Sequence, residues 1–301
     1  MRSSALACMA CGLLSGAMAA EPDSPAIAGS VAEIYKTASN TDLRIYRFDP
    51  EDHDPASDSR PAAVFFFGGG WNGGNPTQFE PHTRYLAGRG IVTFVADYRV
   101  KSRQGTTPRE CVADGKSAVR WIRKNAQRLG VDPDRIVAGG GSAGGHVAAT
   151  TGICDGLDDP ADDLSISSRS QALLLFNPVY DNGPDGYGHD RAEAWFPAIS
   201  PFHNITEDDP PAIVFLGTED KLIPVSTAEE FRDRQEALGI TSELHLYEGE
   251  PHGFFNLRLA QGKPEHFIDT VRKMDAFLVK LGFLEGEADE DLLQSIASGA
   301  R

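Results

Sequence analysis

The sequence is poor in cysteine and in positive charge. Its 301 residues include 4 Cys, and 28 Lys and Arg stand against 44 Asp and Glu, giving a formal net charge of -16. So little cysteine excludes a small disulfide-built scaffold. The acidic excess argues against nucleic acid or an anionic lipid surface as a partner, because both repel a negative protein. Past residue 20 no apolar run approaches the ~20 residues needed to cross a bilayer, so membrane insertion is not expected. What is present is 41% hydrophobic content over a length that suits one large domain with a buried core.

The first residues read as an export signal. Arg2 supplies a positive start, residues 5–20 are apolar or small, and Ala17-Met18-Ala19 fits a small-residue cleavage site. Glu21-Pro22-Asp23 ends the stretch abruptly, with no amphipathic period or cap to suggest a buried first helix. Lipid attachment at Cys8 or Cys11 is disfavoured, since neither has a convincing apolar approach. Residues 1–19 are therefore expected to be a signal peptide, 20–285 one catalytic domain and 286–301 an acidic, loosely packed tail. The mature protein is expected to be secreted or periplasmic.

Beyond the signal, Cys111 and Cys154 remain, and an oxidising compartment would favour their pairing. Distance argues otherwise. If Ser142 heads its helix, Cys154 lies roughly 18 Å further along at the α-helical rise, whereas Cys111 falls in the first turn of a helix entered from the same end. Two separate buried thiols are expected.

Alternating apolar residues at 31–35 and 43–48 flank the turn formers Ser39-Asn40-Thr41-Asp42 and predict an antiparallel hairpin. After a polar loop at 49–60, short apolar runs recur at 62–67, 91–96, 135–138, 172–176, 212–216 and 244–247, ended by Gly, Pro or Asp. Between them Val112, Val119, Ile122, Ala126 and Leu129 keep helical spacing, with Pro108 near the start and Gly130 placed as a C-cap. Phe267, Val271, Met274, Leu278 and Leu281 repeat that spacing near the C-terminus. The fold class is α/β: a mostly parallel central sheet with helices on both faces and an antiparallel N-terminal hairpin.

Chemistry gathers at three turns. Gly140-Gly141-Ser142-Ala143-Gly144 matches G-x-S-x-G between a strand and a helix-compatible run, where the strained turn lifts a serine hydroxyl clear of the sheet. A hydroxyl is a weak nucleophile at neutral pH, so it requires a base, and the base requires an acid to fix its tautomer. Of the histidines well past Ser142, His245 falls inside a strand and His266 on the terminal helix. His252 sits in the loop Gly249-Glu250-Pro251-His252-Gly253 after the last strand and is the expected base. Asp220, in the loop after the preceding strand, is the expected acid, chosen over Glu219. Phe67-Gly68-Gly69-Gly70-Trp71 offers a backbone free of side chains, and the N–H groups of Gly69, Gly70 and Ala143 are the expected oxyanion donors. A phosphate-cradling role is excluded, because no Lys-Ser/Thr follows the glycines.

These motifs resemble the hormone-sensitive-lipase-like branch of the α/β-hydrolases, and within it secreted bacterial carbohydrate esterases of the acetyl xylan and feruloyl type. The resemblance runs through residues 67–74, Asp97-Tyr98-Arg99, 140–146, 217–224 and 249–254. It departs at two places. Phe67 stands where a histidine usually opens the glycine loop, and Gly141 where the branch often has Asp. The resemblance implies removal of acetyl or hydroxycinnamoyl groups from plant polysaccharide or oligosaccharide; the residues themselves imply acyl transfer, with no metal or organic cofactor required. A serine peptidase of the same fold and a non-catalytic binding protein that retains the fold stay open as alternatives.

Tyr187, Trp195 and Trp71 are candidate ring-stacking contacts for substrate, with residues 177–195 as a covering segment. The run Asp155, Asp158, Asp159, Asp162 and Asp163 lacks calcium-loop spacing and reads as a solvated acidic loop. His146 is expected to be a packed helix residue, and Asp97 with Arg99 a structural ion pair.

Overall fold

The computed structural model describes residues 25–38, 40–257 and 262–299. The expected signal peptide at 1–19 lies outside the described residues. One eight-stranded sheet runs through the molecule: β1 (Val31–Ala38), β2 (Thr41–Phe48), β3 (Arg60–Phe66), β4 (Val92–Ala96), β5 (Val131–Gly141), β6 (Ala172–Phe176), β7 (Ala212–Gly217) and β8 (Ser242–Tyr247), in the spatial order β1-β2-β4-β3-β5-β6-β7-β8. β1 and β2 form the expected antiparallel hairpin, β2 meets β4 antiparallel, and every pair from β4 onward is parallel.

The helices are α1 (Glu80–Gly88), α2 (Lys101–Gln104), α3 (Pro108–Lys124), α4 (Ala126–Leu129), α5 (Ala143–Ile153), α6 (His189–Ala192), α7 (Val225–Ala237), α8 (Pro264–Lys280) and α9 (Glu290–Ser298). Strand alternation sorts the core into two layers. Ala62, Val64 and Phe66 of β3 face one cluster that includes Val119 of α3 and Val147 of α5, while Ala63 and Phe65 face another that includes Phe267 and Met274 of α8. Among the described residues no helix is long and apolar enough to cross a membrane.

Four expectations are revised. The helix expected through Leu129 breaks at Asn125, whose backbone leaves the helical region at φ -98° and ψ 10° and whose side chain shares the Trp121 carbonyl with its own N–H, donating at 2.8 Å; Gly130 then closes α4 at φ 60°. Asp97 and Arg99 do not pair. Arg99 binds Asp114 of α3 through two bonds of 2.8 and 2.7 Å, and Asp97 binds Arg103 of α2 at 2.9 and 2.7 Å, so the following helices supply each with a two-bond partner. The acidic run is not merely solvated: Asp158 and Asp162 bind Arg120, and Asp159 binds Lys36. Within the tail, Glu290–Ser298 form α9, capped by Asp289 and packed on α1 with Leu293 fully buried. Cys111 and Cys154 are both buried free thiols.

Candidate active site

At the end of β5 the chain turns sharply into α5. Ser142 sits in that turn at φ 54° and ψ -121°, a conformation that costs a non-glycine residue of order 1–3 kcal/mol. Its surroundings hold it there. The Ser142 N–H donates to Phe176 O at 2.9 Å, and its carbonyl accepts from His146 N at 3.0 Å and Val179 N at 3.1 Å. Space is short on every side: a Cβ on Gly144 would collide with the Phe66 and Phe67 carbonyl oxygens, and one on Gly141 would lie 2.6 Å from the Phe255 ring. That ring fills the volume an aspartate would need at 141.

Ser142 lines a cavity of about 490 Å³ together with Gly68, Gly69, Gly70, Gln78, Tyr187, His252, Phe255 and Asn256. His252 reaches it from the loop after β8, and Asp220 supports the ring from the loop after β7. Nδ1 of His252 lies 2.7 Å from Asp220 Oδ2. An ionised carboxylate only accepts, so in the neutral ring it is Nδ1 that carries the proton and Nε2 that keeps the lone pair. The Asp220 carboxylate is fully used, taking further bonds from Asn177 Nδ2 at 3.0 Å, Leu222 N at 2.8 Å and Ile223 N at 3.1 Å. Burial alone would raise its pKa. The hydrogen bond and charge of His252, with the two backbone amides, outweigh burial and hold the carboxyl below its ordinary value.

The glycine loop after β3 is tied from outside. Phe67 O accepts from the Tyr98 hydroxyl at 2.5 Å, Gly69 O from Asn72 N at 3.0 Å and Gly73 N at 3.2 Å, and Gly70 O from Arg191 Nη1 at 2.8 Å. Gly69 and Gly70 adopt φ 133° and 61°, and neither amide meets a backbone acceptor among the described residues. With the loop carbonyls held elsewhere, these two N–H groups are left available, as is the Ala143 amide in the first turn of α5, where the helix dipole favours negative charge. Phe67 is kept in place by stacking: its ring lies 4.1 Å from that of Tyr98, with the Arg103 guanidinium 5.9 Å from its centre.

The three candidate contact aromatics separate. Tyr187 lines the cavity. Trp71 is 2% exposed beneath the loop and donates its indole N–H to His146 Nδ1 at 3.3 Å, with Arg191 stacked 5.0 Å from its ring. Trp195 packs against Ala192, Ile199 and Val112, away from the cavity. His146 is fully buried, and burial pushes its pKa down to about 4; Nε2 donates to Ile199 O at 2.7 Å. Four residues were not singled out from sequence: Asn177, which supports Asp220; Arg191, which holds Gly70; and Gln78 and Asn256 in the cavity wall. Asn177 alone had a signal, its place immediately after a strand beside the nucleophile.

With that geometry in view, a family model described as BD-FAE matches residues 51–181, and one described as Dienelactone hydrolase family matches residues 185–279. Ser142 falls in the first match; Asp220 and His252 fall in the second. Isoprenylcysteine alpha-carbonyl methylesterase ICME of Arabidopsis thaliana is 30% identical over 247 residues, covering 72% of this chain and 56% of that protein. Esterase LipC of Mycobacterium tuberculosis is 29% identical, covering 74% and 62%. The chain thus spans less than two thirds of these curated relatives. Against solved structures the match is nearly end to end: Thermogutta terrifontis esterase 2 phosphoramylated by tabun is 44% identical with a TM-score of 0.83, covering 87% of this chain and 98% of that one. The propionate-bound form of the same esterase gives 44% and 0.82.

Proposed function

The chain belongs to the α/β-hydrolase esterases, in their hormone-sensitive-lipase-like branch, and from that premise we propose that it is a serine carboxylesterase acting on short acyl esters through Ser142, His252 and Asp220. The observation that carries the reading is the 2.7 Å contact between His252 and Asp220 on a cavity that Ser142 also lines. Nε2 of His252 takes the Ser142 proton as the hydroxyl attacks the ester carbonyl. Asp220 stabilises the imidazolium, which then protonates the departing alcohol. The N–H groups of Gly69, Gly70 and Ala143 receive the oxyanion. Water, activated by the same imidazole, releases the acid.

Acyl groups of acetyl to butyryl size fit this reading, and propionate- and butyrate-bound forms of the Thermogutta esterase point the same way. The alcohol portion is a sugar of plant polysaccharide or oligosaccharide, with hydroxycinnamoyl esters as a second acyl class. Two wall residues, Asn75 with its side-chain amide and Tyr187 with its phenol, suit a hydroxyl-rich substrate. Export through residues 1–19 would place the enzyme with such material.

The test compares acetate, butyrate and ferulate esters and then acetate release from acetylated xylan. Acetate esters should turn over fastest and xylan should lose acetate; preference for long chains with xylan untouched removes the carbohydrate assignment. Ser142→Ala should lower kcat by at least about 10⁴-fold. An organophosphonate should label Ser142 in the folded protein; no label there sinks the nucleophile.

A further inference from the structure

Two side-chain amides in the cavity wall form a hydrogen-bonded chain that the reaction steps above do not use. The Gly68 N–H donates to Gln78 Oε1 at 2.6 Å, Gln78 Nε2 donates to Asn256 Oδ1 at 2.8 Å, and Asn256 Nδ2 donates to Gly253 O at 2.8 Å. Its direction is set at both ends, because a backbone N–H only donates and a backbone carbonyl only accepts. Each amide therefore has one orientation that satisfies its neighbours. Gln78 is carried by the turn Pro76–Phe79, which Asn75 caps by accepting from Thr77 N at 3.0 Å. Asn256 is 2% exposed, and its own N–H donates to Gly253 O at 3.2 Å.

What the chain joins is informative. One end is the loop that presents the Gly69 and Gly70 amides, and the other is the residue following His252. These loops leave β3 and β8, which are separated in the sheet by β5, β6 and β7. Any twist or breathing across three intervening strands accumulates in the distance between them. A transition state needs both loops at once, and a misplacement of about 1 Å can cost about 100-fold in rate.

We propose that Gln78 and Asn256 are positioning residues, a two-amide clamp that fixes the spacing between the oxyanion-binding amides and the His252 imidazole. The inference rests on the esterase reading given above. The clamp acts through the glycine loop and the histidine loop, so its loss falls on kcat rather than on ground-state binding.

Gln78→Leu, Asn256→Leu and the double variant test it on an aryl acetate. Each single variant should lower kcat by about 10- to 100-fold with KM changed less than about threefold. The double variant should be no slower than the slower single one, since either change opens the same chain. The acid limb of kcat/KM in Gln78→Leu should stay where the parent has it, because the His252–Asp220 contact is untouched. Losses that multiply, a change confined to KM, or an unchanged kcat each overturn the clamp. If the leucine variants do not fold, Gln78→Met and Asn256→Ser are read by the same criteria. Ser142→Ala separates the two claims: an inactive Ser142→Ala beside fully active clamp variants removes only the clamp, whereas an active Ser142→Ala removes the esterase reading beneath it.

Discussion

At Gly140 and Gly144 the chain is closed in by other main-chain atoms, whereas between Gly68 and Gly74 side chains from elsewhere reach in to hold it. The nucleophile turn is fixed mainly by backbone against backbone, with the Ser142 N–H and carbonyl both bonded and Gly140 and Gly144 pressed against Phe66 and Phe67 main-chain atoms, while the Phe65 and Phe255 rings cover Gly139 and Gly141. The glycine loop has backbone bonds of its own, from Asn72 N and Gly73 N to Gly69 O, but Phe67, Gly68 and Gly70 are held by the side chains of Tyr98, Gln78 and Arg191, which come from three separate stretches of chain. A turn made of backbone contacts has no partial state, because a carbonyl oxygen cannot rotate away as a side chain can. A loop held by several side chains should lose its geometry by degrees. The pair explains how one site can combine a strained nucleophile with an adjustable anion pocket.

The sharpest way to break this contrast is Gly144→Ala. The new Cβ meets two backbone oxygens at once, so the expected cost is at least about 3 kcal/mol of stability, with no measurable activity. Thermal unfolding and turnover on an aryl acetate check both. A stable, active Gly144→Ala would mean that the nucleophile turn is as compliant as the loop opposite.

How much of this was readable beforehand follows the same division. Ser142, Asp220 and His252 stand in turns that announce themselves locally, by a glycine-flanked motif and by position after apolar runs, and the structure gathers those turns at one cavity. Strand cores were legible because apolar runs ended at turn formers. The side-chain supports were not. Gln78 and Asn256 are 178 residues apart, and nothing periodic marks an amide that bonds another amide. Asp97 and Arg99 look paired at a spacing of two, yet each finds a partner on a later helix. Trp71 looked like a sugar platform beside the glycines, but its positive-φ turn folds the indole under the loop onto His146. The acidic tail carries a helix signal of its own in the sequence: Asp289 as a cap, and Leu292, Leu293 and Ile296 on one face.

His146 links the two regions, with its backbone on the nucleophile helix and its ring under Trp71 of the glycine loop. Because Nδ1 accepts from the indole and Nε2 donates to Ile199 O, a second proton would set two donors against each other. Its pKa in the fold is pushed down to about 4, from an ordinary value of 6.5. The unfolded chain therefore takes up a proton through a range where the native state does not. The ring's contribution is intact above about pH 6.5 and declines as pH falls toward 4, at roughly 1.4 kcal/mol per pH unit, reaching about 3 kcal/mol. His146→Gln keeps an acceptor and a donor without titrating, so urea midpoints between pH 4.5 and 7 should vary less in that variant than in the parent. Equal pH dependence in the two proteins would remove His146 as the acid-sensitive link.

The smallest expected effect tests the graded side of the comparison directly. Tyr98→Phe deletes one hydroxyl and keeps the ring that stacks on Phe67 at 4.1 Å, so shape is conserved and only the bond to the Phe67 carbonyl is lost. A buried carbonyl deprived of its donor costs about 1–3 kcal/mol, and a value near 2 is expected here. Gln78 and Arg191 still hold Gly68 and Gly70, so the anion pocket should loosen without opening, with kcat down by about tenfold or less and KM nearly unchanged. Turnover and thermal unfolding measured on one preparation decide the matter. If this single hydroxyl abolished activity as completely as Gly144→Ala, the glycine loop would be an all-or-none structure too, and the distinction between side-chain and backbone support would have no functional content.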